Sequence, residues 1–329
     1  MKTFDIDLFN EIASDAEGLL AEIEAMSHTP AEISERHLLK IIRDNETTEY
    51  GIKHHFSSIH SYSDFKKLVP ISEYGNYNSY IQKMFNNDTA GLLSNYKTAF
   101  YAASSGSVGV PKCIPVSTYG MEDLCNYICK LKFAFIKRVL DTNGCKPSWI
   151  VCLADFYNDK IKRGNSPSSA SSHSDDYISD KIENLYTSPR ELQAPSRPIE
   201  NCIYLKALFA LCHRDVSCIS AIFSSAINEF FSVIQNNWKS LVNDIRTGRI
   251  SSLEDSTDER DKALCNALTA DPKRADELEE EFSKGFDTPI LPRIWPNCSL
   301  IVAIGGSFFA EYTESSRKYI DTAISRNIQ

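Results

Sequence analysis

"SWIVCLAD", Ser148 to Asp155, is an apolar run of strand length that stays uncharged until its last residue. A strand with one wet face alternates apolar and polar side chains, whereas a continuous run fits a parallel sheet covered on both faces. Working outward, "TAFYAA" (98–103) and "KCIPVS" (112–117) read as two further short strands. "PRIWPNCSLIVAIGGSFFAEYTESSRKYI" (292–320) reads as strand, glycine turn and helix. Between the strands lie segments with apolar residues at helical spacing, beginning with "FDIDLFNEIASDAEGLLAEIEAM" (4–26). Strands alternating with helices around buried sheet runs predict an α/β fold.

Several helix limits follow from local chemistry. Thr29 is placed as an N-cap, with Pro30 in the first turn that follows. Thr118 to Leu140 reads as one long buried helix, and 203–245 as helical throughout, with Asp215 capping "VSCISAIF". Residues 251–286 form a charged helical pair broken at Asp271-Pro272, its charges on a solvated face. "RGNSPSSASSHSDD" (163–176) is a flexible polar connection.

With 329 residues, 42% of them hydrophobic, the chain can bury a large core. Its net charge of -9 argues against a broad nucleic-acid footprint. Ten cysteines contain no CxxC pair and mostly sit among apolar neighbours. With no signal peptide at the N-terminus, they are expected as reduced thiols in a cytoplasmic protein. Cys125 and Cys129 share a helix face but lack further metal ligands, and no apolar run reaches the ~20 residues a membrane span needs.

The most chemically suggestive stretch is "FYAASSGSVGVPKCIPVS", Phe100 to Ser117. Phosphates are held by converging backbone N–H groups, hydroxyls and a positive charge, with small side chains so that the main chain can approach. Ser104, Ser105, Gly106, Ser107 and Gly109 meet those demands, and Lys112 supplies charge. The stretch is not a Walker A loop, because Pro111 stands five positions after Gly106. Nor is it GxGxxG, because Val108 takes the second glycine position. "SSGSVGVPK" is instead similar to the Ser/Thr-Ser-Gly-Ser/Thr-Thr/Ser-Gly-x-x-Lys loop of adenylate-forming enzymes, departing from it at Val108.

The flanks narrow this further. "NETTEYGIKHHF", "FKKLVPISEY", "YIQKMF", the loop, "LYTSPRE", "YLKALFALCHRD", "WKSLVNDIRTG", "RADELEEEFSKGFDTPILPRIWPN" and "GGSFFAEY" follow in order. Together they resemble the plant auxin-responsive acyl-acid amido synthetases and their microbial relatives, the Gretchen Hagen family, from about Leu38 to Ile320. The fold this implies is mixed, largely parallel sheets sandwiched by helices, as in the large N-terminal domain of adenylate-forming enzymes. The function it implies is ATP- and Mg²⁺-dependent adenylation of a small carboxylic acid, followed by amide formation with an amino acid.

By position, Ser104 to Ser107 would line the ATP phosphates, Gly109 would set the turn and Lys112 would add charge. Val108 removes one hydroxyl, worth about 1–3 kcal/mol if nothing compensates. The family's adenine segment (Tyr/Ser/Glu-Gly) and ribose segment (Tyr-Arg-x-Gly-Asp) are not found, nor is its mobile C-terminal domain. Residues 1–329 are therefore expected to be an incomplete N-terminal adenylate-forming domain, impaired alone, with a second chain as one source of the missing half. The acyl pocket would lie between the helices of 121–140 and 203–231.

Two alternatives stand beside this: an acyl-CoA ligase, and a non-catalytic remnant that binds an acyl ligand or a partner chain. Neither nucleic acid nor membrane is expected as a partner. Gly305-Gly306-Ser307 fit either a strand exit or a ligand cleft, and Trp295 is weighed as core against cleft. Arg293 and Arg317 are weighed as carboxylate partners against surface residues, and His54, His55 and His60 as solvated rather than metal-binding.

Overall fold

The computed structural model describes residues 3–87, 90–104, 112–124, 127, 130–154, 184–193 and 201–320. Along the chain run α1 (Ile6–Ser27), α2 (Pro30–Asp44), α3 (Glu49–Lys53), α4 (Tyr62–Leu68) and α5 (Asn78–Asn87), then β1 (Thr98–Ala103) and β2 (Cys113–Ser117). Next come α6 (Thr118–Leu124), α7 (Leu131–Thr142), β3 (Trp149–Cys152), α8 (Arg190–Gln193), α9 (Cys202–Leu211), β4 (Val216–Phe223) and α10 (Ser224–Thr247). The last elements are α11 (Glu259–Ala267), α12 (Pro272–Ser283), α13 (Leu291–Ile294), β5 (Leu300–Ile304) and α14 (Ala310–Ser316). Among the described residues no helix is long and apolar enough to cross a membrane. The contacts divide the chain into two units.

One unit comprises the described residues of Met1–Ser14, Lys132–Asn158 and Ile178–Gln329. Its sheet has the order β3-β4-β5, all parallel, with Ile150 opposite Cys218 and Ile219 opposite Ile301. Trp149 and Val151 face a large core with α9, α10 and α12, where Leu208, Phe230, Phe231 and Phe282 are buried. Ile150 and Cys152 face the opposite way, against Phe9 of α1 and Phe133, Ile136 and Leu140 of α7. Both faces are thus dry, as the unbroken apolar run of β3 requires. Each large side chain so buried contributes on the order of 1.5–3 kcal/mol.

The central strand corrects the sequence reading. "VSCISAIF", expected as part of a continuous helix, is β4, hydrogen-bonded on both sides. An apolar run of eight serves a buried strand or a buried helix equally, so periodicity cannot separate them. Its β-branched Val216, Ile219 and Ile222 favour the strand once parallel partners exist. Asp215 is accordingly no helix cap; its side chain accepts from Asn297 Nδ2 at 3.0 Å. Other limits agree more closely. Pro30 opens α2, although the Thr29 side chain makes no cap hydrogen bond, and Asp271 caps α12 by accepting from the Arg274 amide at 2.8 Å. The expected helix of 118–140 appears as α6 and α7, and Cys125 and Cys129 between them lie outside the described residues.

Entry into β4 is held by a buried guanidinium. Arg274 of α12 donates through Nε to the Leu211 carbonyl at 2.8 Å and through Nη2 to those of His213 at 3.3 Å and Ile294 at 3.2 Å. Trp295, fully buried in the core, adds Nε1 to the His213 carbonyl at 2.8 Å. Four cysteines of this unit, Cys152, Cys212, Cys218 and Cys298, are buried. Burial pushes Cys212 and Cys298 up to about 12.

The second unit comprises the described residues of Asp15–Leu131. Here β1 and β2 pair antiparallel, with Ala103 opposite Cys113 and Tyr101 opposite Pro115. Three small cores serve it: Ile42, Phe56 and Ile59; Tyr80, Met84 and Leu92; and Phe100, Ala102 and Met121.

Two outcomes follow. Arg274→Met leaves the Leu211 and Ile294 carbonyls without their donor, while that of His213 keeps Trp295, and chemical denaturation is expected to show a loss of roughly 3 kcal/mol. Burial pushes the His213 imidazole down to about 4 from its ordinary 6.5. Between those values the unfolded chain takes a proton that the folded chain refuses, so stability falls as pH drops from 6.5 toward 4. Unfolding curves across that window check this, and His213→Gln is expected to flatten the slope.

Candidate functional site

The serine-glycine stretch joins β1 to β2, so its two ends are fixed by strand pairing. The Ser104 amide donates to the Lys112 carbonyl at 3.0 Å, and the Lys112 amide donates to Ser104 Oγ at 2.8 Å. Ser104 therefore works first as a clasp: its oxygen accepts from the main chain while its own hydroxyl hydrogen remains a donor. Ser105, Gly106, Ser107 and Gly109 lie outside the described residues. The structure brings Ser104 and Lys112 together at the mouth of the loop.

The hairpin has outer supports. Tyr74 hydroxyl donates to the Cys113 carbonyl at 2.9 Å and accepts from the Cys113 amide at 3.0 Å, so one phenol holds both main-chain groups. Lys112 Nζ stands 5.7 Å from the centre of the same ring. At the other end the Thr118 amide donates to the Lys97 carbonyl at 2.9 Å. Just before β1, Tyr96 hydroxyl bonds the Asp44 carboxylate of α2, which also takes Lys40 Nζ at 2.6 Å. Those two donors hold the Asp44 carboxyl below its usual range, Lys40 foremost. Tyr119 of α6 stacks on Tyr96 with ring centres 5.0 Å apart. Sequence reasoning missed Tyr74, Tyr96 and Asp44 because their partners lie 39 and 52 residues away.

In the unit with the parallel sheet, the carboxyl ends of the strands form a separate candidate face; open α/β sheets receive ligands at such ends. Thr313 Oγ1 donates to the Gly305 carbonyl at 3.0 Å. A Cβ on Gly305 would come within 2.6 Å of that oxygen, so only glycine fits. Ser307 takes φ of 55°, an uncommon left-handed value for a non-glycine. Phe223 and Phe309 stack at 4.4 Å, while Ile304 and Phe308 at this end are exposed.

Other weighed residues have structural partners. Trp295 is core, Arg293 donates through Nε to Glu281 at 3.0 Å and through Nη1 to the Gly285 carbonyl at 2.9 Å, and Arg317 pairs with Glu314 at 3.1 Å. His54 packs on Tyr50 with ring centres 4.2 Å apart. Among the described residues no three His, Cys, Asp or Glu side chains converge on a possible metal.

Structure comparison gives the fold. The fold matches that of AtGH3.15 acyl acid amido synthetase in complex with 2,4-DB, with a TM-score of 0.79 at 23% identity over 97% of this chain and 54% of that one. Residues 19–323 match the model of the GH3 family N-terminal domain, and the chain belongs to that family. Among its relatives is the indole-3-acetic acid-amido synthetase GH3.2 of Arabidopsis thaliana, 27% identical over 90% of this chain and 55% of that protein. Another is the probable indole-3-acetic acid-amido synthetase GH3.11 of Oryza sativa subsp. japonica, 29% identical over 90% and 50%. The chain spans about half the length of these relatives.

One outcome tests the Tyr74 clasp. Tyr74→Phe removes both bonds; the one to the Cys113 amide is worth about 1 kcal/mol, so that amide is expected to exchange with solvent about fivefold faster. Amide exchange followed by NMR or mass spectrometry reads it.

Proposed function

We propose that this chain is the phosphate-handling domain of an acyl-acid amido synthetase. In the first step a carboxylate oxygen of a small acid bonds to the α-phosphorus of ATP and pyrophosphate leaves. In the second an amino-acid amine attacks the acyl carbon, AMP leaves, and an amide remains. The observation that carries this is the closed hairpin base, in which Ser104 and Lys112 are tied to each other and Tyr74 holds the adjacent residue.

With both ends anchored, a stretch of small residues would let main-chain donors be set in place before the anion arrives, the condition for electrostatic stabilisation. Lys112 adds one positive charge at the mouth. A Mg²⁺ ion would neutralise phosphate charge; with no convergent ligand trio among the described residues, the nucleotide itself would be its main carrier. Contacts to adenine and ribose would then come from segments outside residues 1–329, and this domain alone would bind MgATP weakly.

A second reading, a domain that binds a ligand or partner without catalysis, is favoured by one observation. Phe223, Ile304 and Phe308 are exposed together at the carboxyl ends of β4 and β5.

Pyrophosphate release with MgATP and a panel of carboxylic acids supports the first reading over the second. Amide formation with amino acids, rather than a thioester with coenzyme A, distinguishes a synthetase from an acyl-CoA ligase. By calorimetry Lys112→Ala is expected to weaken MgATP about tenfold, equivalent to about 1.4 kcal/mol. Micromolar MgATP binding by residues 1–329 alone contradicts the partial-site proposal.

A further inference from the structure

A cavity of about 500 Å³ lies on the Trp149 face of the parallel sheet, beside the first residue of β3 and the turn that leads into β4. It is remote in topology from the carboxyl ends of those strands, and no step of the proposed reaction uses it. Its inner wall is aromatic, formed by Trp149, Tyr186 and Phe209, all buried. The rim carries Glu191 and the exposed Asn266.

Three buried side-chain atoms of this lining have no hydrogen-bond partner: Thr187 Oγ1, Ser188 Oγ and His213 Nδ1. Their residues are only 5%, 3% and 7% exposed. Five such orphans occur among the described residues, so three around one cavity is a concentration rather than scatter. Interior polar groups are almost always paired, and an unpaired one is a standing cost. A ligand with a polar edge would supply the missing partners, since the two hydroxyls can turn by rotation about χ1.

Charge narrows the ligand. No lysine or arginine lines the cavity among the described residues, and Glu191 at its rim is acidic. Burial keeps His213 neutral near pH 7. The imidazole packs on Trp149 with ring centres 4.3 Å apart, bonds the Thr187 main chain and leaves Nδ1 to the cavity. A carboxylate or phosphate placed here would lose its hydration without gaining a cation. Flat apolar walls with few polar atoms suit a planar ring system.

We propose that this cavity binds an uncharged planar aromatic molecule, an amide or nitrogen heterocycle of one or two fused rings, whose edge pairs with Thr187, Ser188 and His213. The ligand class differs from the acid and nucleotide of the proposed reaction, and the inference does not rest on that reaction.

The test uses the whole 329-residue chain and two probes with one ring system, quinoline-3-carboxamide and quinoline-3-carboxylate, by calorimetry and ligand-observed NMR. The carboxamide is expected to bind at least tenfold more tightly than the carboxylate. The double variant Thr187→Val, Ser188→Ala is expected to weaken the carboxamide at least tenfold while its Tm stays level or rises, because orphan hydroxyls contribute nothing to the free fold. Ala267→Trp, at an exposed position on the cavity mouth, is expected to block the carboxamide without touching the interior. Equal binding of the two probes, binding of neither (a cavity filled by solvent only), or binding unchanged in both variants would overturn the proposal. So would a lowered Tm in the double variant, which would show the hydroxyls already paired.

Discussion

The parallel sheet depends on Arg274. Leu211 and Ile294 are the last residues of α9 and α13, where carbonyls have no intrahelical partner. One guanidinium satisfies both ends and the His213 carbonyl beyond α9. A lysine could not do this; the planar fork reaches several fixed acceptors at once, where an ammonium acts as a compact charge. The cation also sits where the helix dipole of α9 is negative. Because His213 lies three residues before β4, this node fixes where the central strand starts and hence the register of β3 and β5 on either side. It also explains a division of labour at His213: its carbonyl is held by Arg274 and Trp295, while its ring belongs to a cavity wall.

The hairpin unit solves a different problem. Among its described residues there is no large core, and the three small clusters cannot by themselves position a turn. Precision comes from polar clasps at fixed points: Ser104 to Lys112, Tyr74 to Cys113, and Tyr96 to Asp44. All of them act on main chain or on residues flanking the strands. Each is a single residue's clasp worth about 1 kcal/mol. Their contribution is geometric.

Much of the fold was legible, and what was not has a common cause. β3 could be read because a short uninterrupted apolar run bounded by polar residues has few other uses. The family resemblance could be read because small residues, a lysine and ordered flanks specify it. β4 could not: Val216 to Phe223 is apolar in either conformation, and its strand state is imposed by partners about 70 residues before and 80 after it. The same limit hid Tyr74, whose hydroxyl serves a residue 39 positions away. Trp295 was weighed correctly as core, and Asp271-Pro272 as a helix start, because local chemistry decides both.

The buried thiols carry a consequence of their own. Cys152 and Cys218 sit on neighbouring strands within one dry layer, with Cys298 beside the strand that completes the sheet. An alkylating reagent reaches them only while that layer is breached, whereas the half-buried Cys113, Cys145, Cys202 and Cys265 give a constant background. The mass a molecule gains during a brief pulse therefore records whether its interior was open at that moment. The native sequence, without any introduced label, is its own clock for the opening of the sheet.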